Sequence, residues 1–268
     1  MKRKCLTVLV LGILPLLCGS ATAVAQPLSS FAVLGGSTVT NTNTPTIVIG
    51  NLGVSPGSAV TGFPPGIVVG GLIHAADAVA AQAQTDLVTV YNNLANTSCG
   101  TNLTGQNLGG LTLTPGVYCY STSAQLTGTL TLDGQGNPNA VFIFKIGSTL
   151  TTASASSVLL INSASSCGLF WQIGSSATLG TGTTLAGSII ALTSITLNTG
   201  ASLTGRALAR NGAVTLDNNH VTVCSDLPGS PGLPLSTISV PTLSGWAMIA
   251  LTGLLLLFAL AAMRKRAT

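Results

Sequence analysis

The side chains able to do acid, base or metal chemistry are few and scattered. The chain holds five aspartates, Asp77, Asp86, Asp133, Asp217 and Asp226, and no glutamate. Polysaccharide cleavage, a common activity on parallel β-helices, needs clustered carboxylates or a carboxylate with a base. Asp133 and Asp217 instead lie in separate "LDG" and "LDN" contexts, where an aspartate bonds its own turn backbone. Arg206 and Arg210 have no acid near them in sequence and read as surface residues. His74 falls near the start of a helical pattern and His220 at the end of a repeat. Neither has metal-site spacing, so capping or solvated roles are expected. No Ser-His-Asp pattern, phosphate loop or EF-hand loop occurs. The expectation is a protein without catalysis, metal or cofactor.

Cysteine is the other reactive type. Cys5 and Cys18 lie in the N-terminal leader, which leaves Cys99, Cys119, Cys167 and Cys224. An even number in an exported domain favours two disulfides. Three connectivities are possible. The favoured one is 99–119, which closes a short loop, with 167–224, which ties the last coil back. A zinc site is disfavoured, because no C-x-x-C pair occurs.

What the chain has in abundance is threonine in repeated phrases. "TLGTGTTLAG" at 178–187 almost returns as "TLNTGASLTG" at 196–205, with "TLTTASA" from Thr149 and "TLDNNHV" from Thr215. Successive copies start 29, 18 and 19 residues apart. Self-similarity near 20 residues marks a solenoid, whose coils bury their apolar faces only by stacking. Side chains alternate along a strand. Leu150, Leu179, Leu197 and Leu216 are therefore expected inside, with Thr149, Thr178, Thr196 and Thr215 in an outward row. Gly182 and Gly200 fall where the coil must bend.

Other elements must carry and cover this repeat. Residues 27–70 alternate short apolar runs with Gly, Pro and Asn, as strands and turns do. The period then changes: Leu72, Ala76, Val79, Ala83, Leu87, Val90, Tyr91 and Leu94 form a helical stripe. This predicts one helix over about 72–95. "VFIFKI" at 141–146 reads as a strand buried on both sides, beneath the helix. From Leu103 the chain is β to the end of the domain.

Both ends read as address labels. Lys2, Arg3 and Lys4, an apolar run and a small-residue cleavage site predict a signal peptide over 1–25. The solenoid domain is then 26–224, and 225–239 is a Pro/Gly/Ser linker. Residues 240–268 combine an apolar run long enough to span a bilayer with a basic end, Arg264 to Arg266. The basic ends hold six of the nine Lys and Arg. The part between keeps three against five aspartates, a net −2, and gives no reason to expect nucleic acid as a partner.

Two resemblances sharpen these expectations. Pro241, Thr242, Leu243, Ser244 and Trp246 resemble the Pro-Thr-Leu-Ser-x-Trp signal of bacterial sorting tails, with Val240 and Gly245 departing from the usual residues. That resemblance implies an exosortase-like sorting enzyme as partner, and a membrane hold through the C-terminal helix before processing. Residues 29–224 resemble the microbial ice-binding proteins with a discontinuous β-solenoid. The carrying segments include "SFAVLGGSTVTNT", "GNLGVSPGSAVTGFPPG", "NLTGQNLGGLTLTPGVYC" and "FWQIGSSATLGTGTTLAGSI". The resemblance implies a mainly β, right-handed, three-sided solenoid with one long helix alongside, its N- and C-terminal coils adjacent. It implies adsorption to ice; the chain itself is expected to act as a monomer. Some members carry a Thr-(Ala/Gly)-x-(Thr/Asn) motif on the ice-binding side. "TGTT" fits from Thr181, "TGAS" nearly fits from Thr199, and "TASA" from Thr152 fits in part. The expected ice-contact residues are Thr149, Thr151, Thr152, Ser154, Thr178, Thr181, Thr183, Thr184, Thr196, Thr199, Ser202 and Asn218. A non-catalytic surface adhesin on the same fold is the rival reading.

Overall fold

The computed structural model describes residues 28–42 and 45–224. The expected signal peptide, linker, sorting motif and membrane span all lie outside these residues. Among the described residues no helix is long and apolar enough to cross a membrane.

Parallel strands form two sheets, and each full coil contributes three strand segments. A seven-stranded sheet makes one wall, in the order Ala124–Leu126, Leu150–Thr152, Ala177–Leu179, Ile195–Leu197, Val214–Leu216, Thr38–Asn41, Ala59–Thr61. It is called here the ladder wall. The second sheet folds around the other two sides. Its bend is clearest in Thr184–Ala191 and Ser202–Ala209, which turn at Gly187 and Gly205, both with positive φ. Before the bend these strands pair with Ser157–Ile161 and His220–Thr222 in a third wall; after it they pair with Leu169–Ile173 and Phe31–Gly35. A side chain at Gly205 would place its Cβ 2.0 Å from the Gly187 carbonyl oxygen, so only glycine lets these coils stack at the bend.

The stack is discontinuous in sequence. Thr38–Asn41 pairs with Val214–Leu216, and Ile47–Ile49 pairs with His220–Thr222, so the first coil lies on the last. The next coil, ending with Ile73–Ala75, closes that end. The chain must then return to the far end, where Thr101–Asn102 begins the remaining coils. Helix α1, Ala78–Asn96, makes that return. Nineteen residues rise about 28 Å, most of the roughly 38 Å spanned by the nine strands of the wall beneath it.

The helix starts later than the stripe predicts. Ile73–Ala75 is a strand paired with Asn51–Val54, and Leu72 is 66% exposed. The start is set by Asp77, whose Oδ1 accepts the Ala80 N–H at 2.8 Å while Oδ2 meets His74 Nδ1 at 2.7 Å. Burial pushes the Asp77 carboxyl up, but the Ala80 N–H and His74 hold it below the usual aspartate range. Leu72 and Ala76 share the helical phase by coincidence. The buried face is Ala80, Ala83, Gln84, Leu87, Val90, Tyr91 and Leu94, packed on Phe31, Phe170, Ile190 and Leu208. Polar pins hold it there: Gln84 Nε2 donates to Ala209 O at 3.1 Å and Lys145 Nζ donates to Thr97 O. Val141 and Ile143 pack under the helix while Phe142 and Phe144 fill the core, the two-sided burial expected for that run.

Inside, Tyr118, Phe144 and Trp171 stack at 5.3 and 4.3 Å, and Trp171 Nε1 donates to Ala186 O at 2.8 Å. The structure joins Cys99 to Cys119 and Cys167 to Cys224. Arg206 is not a surface residue. It is 2% exposed and donates to Ser29 O from Nε at 3.0 Å and Nη2 at 2.8 Å, with Nη1 3.0 Å from Cys224 Sγ. Arg210 stacks over the Tyr91 ring, 4.9 Å from its centroid.

Candidate functional site

The strands of the ladder wall place hydroxyls in register. Gln125, Thr151, Thr178, Thr196, Thr215, Thr40 and Thr61 form one outward file, in which six consecutive strands contribute threonine. Two residues earlier runs a second file: Ser123, Thr149, Ser176, Ser194, Ala213, Thr38 and Ala59. Neither file contains an ionisable side chain. Neighbouring strands lie about 4.8 Å apart and alternate residues about 6.7 Å apart, so the files make a rectangular net about 29 Å long. Hydroxyls hold one another in place: Thr61 Oγ1 donates to Thr40 Oγ1 at 3.1 Å and Thr149 Oγ1 to Ser123 Oγ at 2.8 Å.

The expected site residues divide among four places. Thr149, Thr151, Thr178 and Thr196 lie in these two files. Ser154, Thr181, Thr199 and Asn218 lie on the corner beside the ladder wall, where Ala155, Gly182, Gly200 and Asn218 adopt positive φ and successive corners bond to one another. Thr199 Oγ1 donates there to Asp217 Oδ2 at 2.5 Å. Thr184 and Ser202 point out from the third wall, in register with Ser157 and His220. Thr152 and Thr183 are buried, at 3% and 0% exposure. Their hydroxyls meet at 2.8 Å, Thr152 Oγ1 accepts the Gly180 N–H at 2.8 Å, and Thr183 Oγ1 donates to Ala153 O at 3.1 Å. They satisfy the inside of the corner and cannot reach a surface, which removes them from the contact set.

For Thr152 the reason is a two-residue slip in the expected alignment; Thr183 is simply the inward residue of its own corner. Leu150 pairs with Ala177, not with Leu179, and Thr151 pairs with Thr178. Thr149 therefore belongs to the second file, and Thr152 takes the inward position of Leu179. The corner segment matching "TGTT" is Ser154 to Ser157, since Ser157 pairs with Thr184. Sequence reasoning also missed Thr40 and Thr61. A signal existed: "AVT" at 59–61, "TVT" at 38–40 and "AVT" at 213–215 share their last two residues, Val-Thr, and lie in register.

The other polar residues fall to structural roles. Asp133 Oδ1 accepts the Gln135 N–H of its own turn at 2.8 Å and an Asn162 amide hydrogen at 2.9 Å. His74 caps the helix start with Asp77, and His220 is exposed beside Thr222. Among the described residues no cluster of three or more His, Cys, Asp or Glu could hold a metal. The third wall mixes hydroxyls with exposed aliphatics, Leu159, Ile47, Ile67 and Val69 among them. The remaining wall is covered by the helix.

These features define a class: a parallel β-solenoid with one wall helmeted by a helix and another left open as a charge-free net of hydroxyls. A family model described as Ice-binding-like matches residues 33–222, and the chain belongs to that family. An ice-binding protein of Nostoc sp. (strain HG1) is 62% identical over 194 residues, covering 72% of this chain and 71% of the relative. The crystal structure of an ice binding protein from an Antarctic biological consortium superposes with a TM-score of 0.71 at 46% identity, covering 74% of this chain and 89% of that one. That of an ice-binding protein from the Antarctic ascomycete Antarctomyces psychrotrophicus gives 0.71 at 40% identity, covering 74% and 97%. The IPTL-CTERM motif matches residues 238–266, so the chain also carries a C-terminal sorting tail.

Proposed function

We propose that this protein adsorbs to ice through the ladder wall, without catalysis, and so inhibits ice growth and recrystallisation. The observation that carries the reading is the unbroken file Thr151–Thr178–Thr196–Thr215–Thr40–Thr61 on a parallel sheet in register. Threonine offers a hydroxyl and a methyl together, and its β-branch fixes χ1. The strand net spaces those groups close to the oxygen repeats of ice. Each contact is weak, because a hydrogen bond to solid water replaces one to liquid water. A pre-ordered array loses little entropy on binding, so many weak contacts add up. Bound molecules pin the ice front. Growth between them must curve, and a curved front stops advancing. The winding is right-handed, as parallel strands joined by crossovers are. The patchy corner motif favours control of recrystallisation over large freezing-point depression.

The leader exports the chain, and the tail, held in the membrane and processed by an exosortase-like enzyme, places it at the cell surface. The solenoid acts as a monomer. The deciding experiment uses purified residues 26–226 in thermal hysteresis and recrystallisation assays. Thr178→Tyr with Thr196→Tyr on the ladder wall should abolish most of the activity. Thr184→Tyr with Thr204→Tyr on the third wall should leave most of it. A folded but inactive wild type would overturn ice binding and leave the adhesin reading. Loss only in the third-wall variant would move the site off the ladder.

A further inference from the structure

The chain leaves the described solenoid at Cys224, and its place is defined. Val223 N–H donates to Ile49 O at 3.0 Å, and the Gly50 Cβ position lies 3.3 Å from Val223 Cβ. Arg206, just past the Gly205 bend, reaches Cys224 Sγ. All these residues sit on the edge where the third wall meets the helix wall. In a three-walled solenoid that edge faces away from the ladder wall across the core. Cys224 is bonded there to Cys167, which precedes Leu169–Ile173 in the middle of the stack; both are buried, at 5% and 1% exposure.

The topology decides what a pull on the tail does. The last strand, His220–Thr222, has three residues and is held by hydrogen bonds to Ser202–Ala209 and Ile47–Ile49. A solenoid is quasi-one-dimensional, with each coil held by its neighbours. Without a crosslink, tension entering at residue 225 would strip this strand, then Val214–Leu216, and proceed coil by coil into the ladder. With the crosslink, tension passes from Cys224 directly to Cys167. The intervening chain, which carries Thr178, Thr196 and Thr215, lies within the closed loop, so the pull reaches the ladder through the folded stack and cannot peel its strands from the C-terminal end.

We infer that the Cys167–Cys224 disulfide is a mechanical clasp, which fixes the tail on the edge opposite the threonine ladder and keeps the tail's pull from peeling the ladder's coils apart. It rests on the ladder wall being the ice-contact face and on the sorting tail being the tether. A protein so held presents its ladder outward, and the clasp carries load when a cell is dragged from ice.

The experiment uses the full chain, inserted through its tail into phosphatidylcholine vesicles and adsorbed to an ice surface. The fraction of vesicles retained is measured at rest and under increasing shear. Cys167→Ser with Cys224→Ser should bind at rest like the wild type but lose retention under shear several-fold sooner. Cys99→Ser with Cys119→Ser, off the load path, should behave like the wild type in both. Should the first variant fail to fold, the oxidised wild type is reduced only after it has bound. Reduction should then release vesicles under shear and not at rest. Equal shear resistance with and without the 167–224 bond would overturn the clasp while leaving ice binding intact. Wild-type vesicles that do not adsorb at rest would instead overturn the ice reading itself.

Discussion

Replacing Thr152 with valine separates a buried corner residue from a surface contact. The two side chains have nearly the same shape, so no cavity opens and packing around Leu126 and Leu179 is kept. What is lost is the oxygen that accepts the Gly180 N–H at 2.8 Å and partners the Thr183 hydroxyl at 2.8 Å. Thr183 keeps its bond to Ala153 O, so one orphaned donor remains, the Gly180 amide. Leaving a buried donor unsatisfied costs about 1–3 kcal/mol. For a domain of this size each kcal/mol shifts Tm by about 2–4 °C. Thr152→Val should therefore lower Tm by several degrees and leave recrystallisation inhibition at equal folded concentration unchanged. The matched change Thr151→Val, one residue away but facing out, should do the reverse: almost no change in Tm and weaker inhibition. Calorimetry and a recrystallisation assay on the two variants suffice. Unchanged stability with lost inhibition in Thr152→Val would refute the assignment of that hydroxyl to the interior.

Three further outcomes follow from particular contacts. Gly182 has positive φ but open space at its Cβ position, so Gly182→Ala should cost only about 1–2 kcal/mol of backbone strain; Gly205→Ala, meeting the Gly187 carbonyl, should prevent folding, as circular dichroism would show. Burial pushes the Tyr120 hydroxyl up to about 12; since the unfolded value is about 10, stability should be whole below pH 10 and fall as pH climbs toward 12, read from chemical denaturation across that range. Leu87→Ala, in the buried face of the helix, should destabilise by about 2–5 kcal/mol in urea titration, without altering the ladder's contact with ice.

The alternation of leucine and threonine was legible because a strand has period two, and any shift by two preserves it. The same fact explains the slip in the coil beginning at Thr149: "TLTT" offers two in-phase alignments, and both put leucine inside. Only the pairing of Leu150 with Ala177 chooses between them. The helix was visible from its stripe, but its start was set by the Asp77 cap, a local bond that periodicity does not register. Arg206 looked exposed because its partners, Ser29 O and Cys224, lie 177 and 18 residues away in sequence. Two of the six file threonines were hidden for a similar reason. Thr40 meets Thr215 only because the first coil lies on the last.

That closure also bears on the order in which the molecule can be made. During synthesis the coil around Val39 emerges long before Val214, its partner on the ladder wall. Until then one flank of the early coils has nothing to pair with, so the solenoid cannot be finished from its beginning. The half from Thr101 onward pairs coil upon coil in chain order, whereas the opening segment pairs with it only at Ser202–Ala209, Val214–Leu216 and His220–Thr222. Arg206 touches both Ser29 and Cys224, so the two ends of the domain meet within the reach of one side chain. A circular permutant opened between Asn96 and Thr101, with Leu28 and Cys224 joined by a short linker, would place every coil in reading order. It should reach the same fold with far fewer long-range closures, and so fold faster.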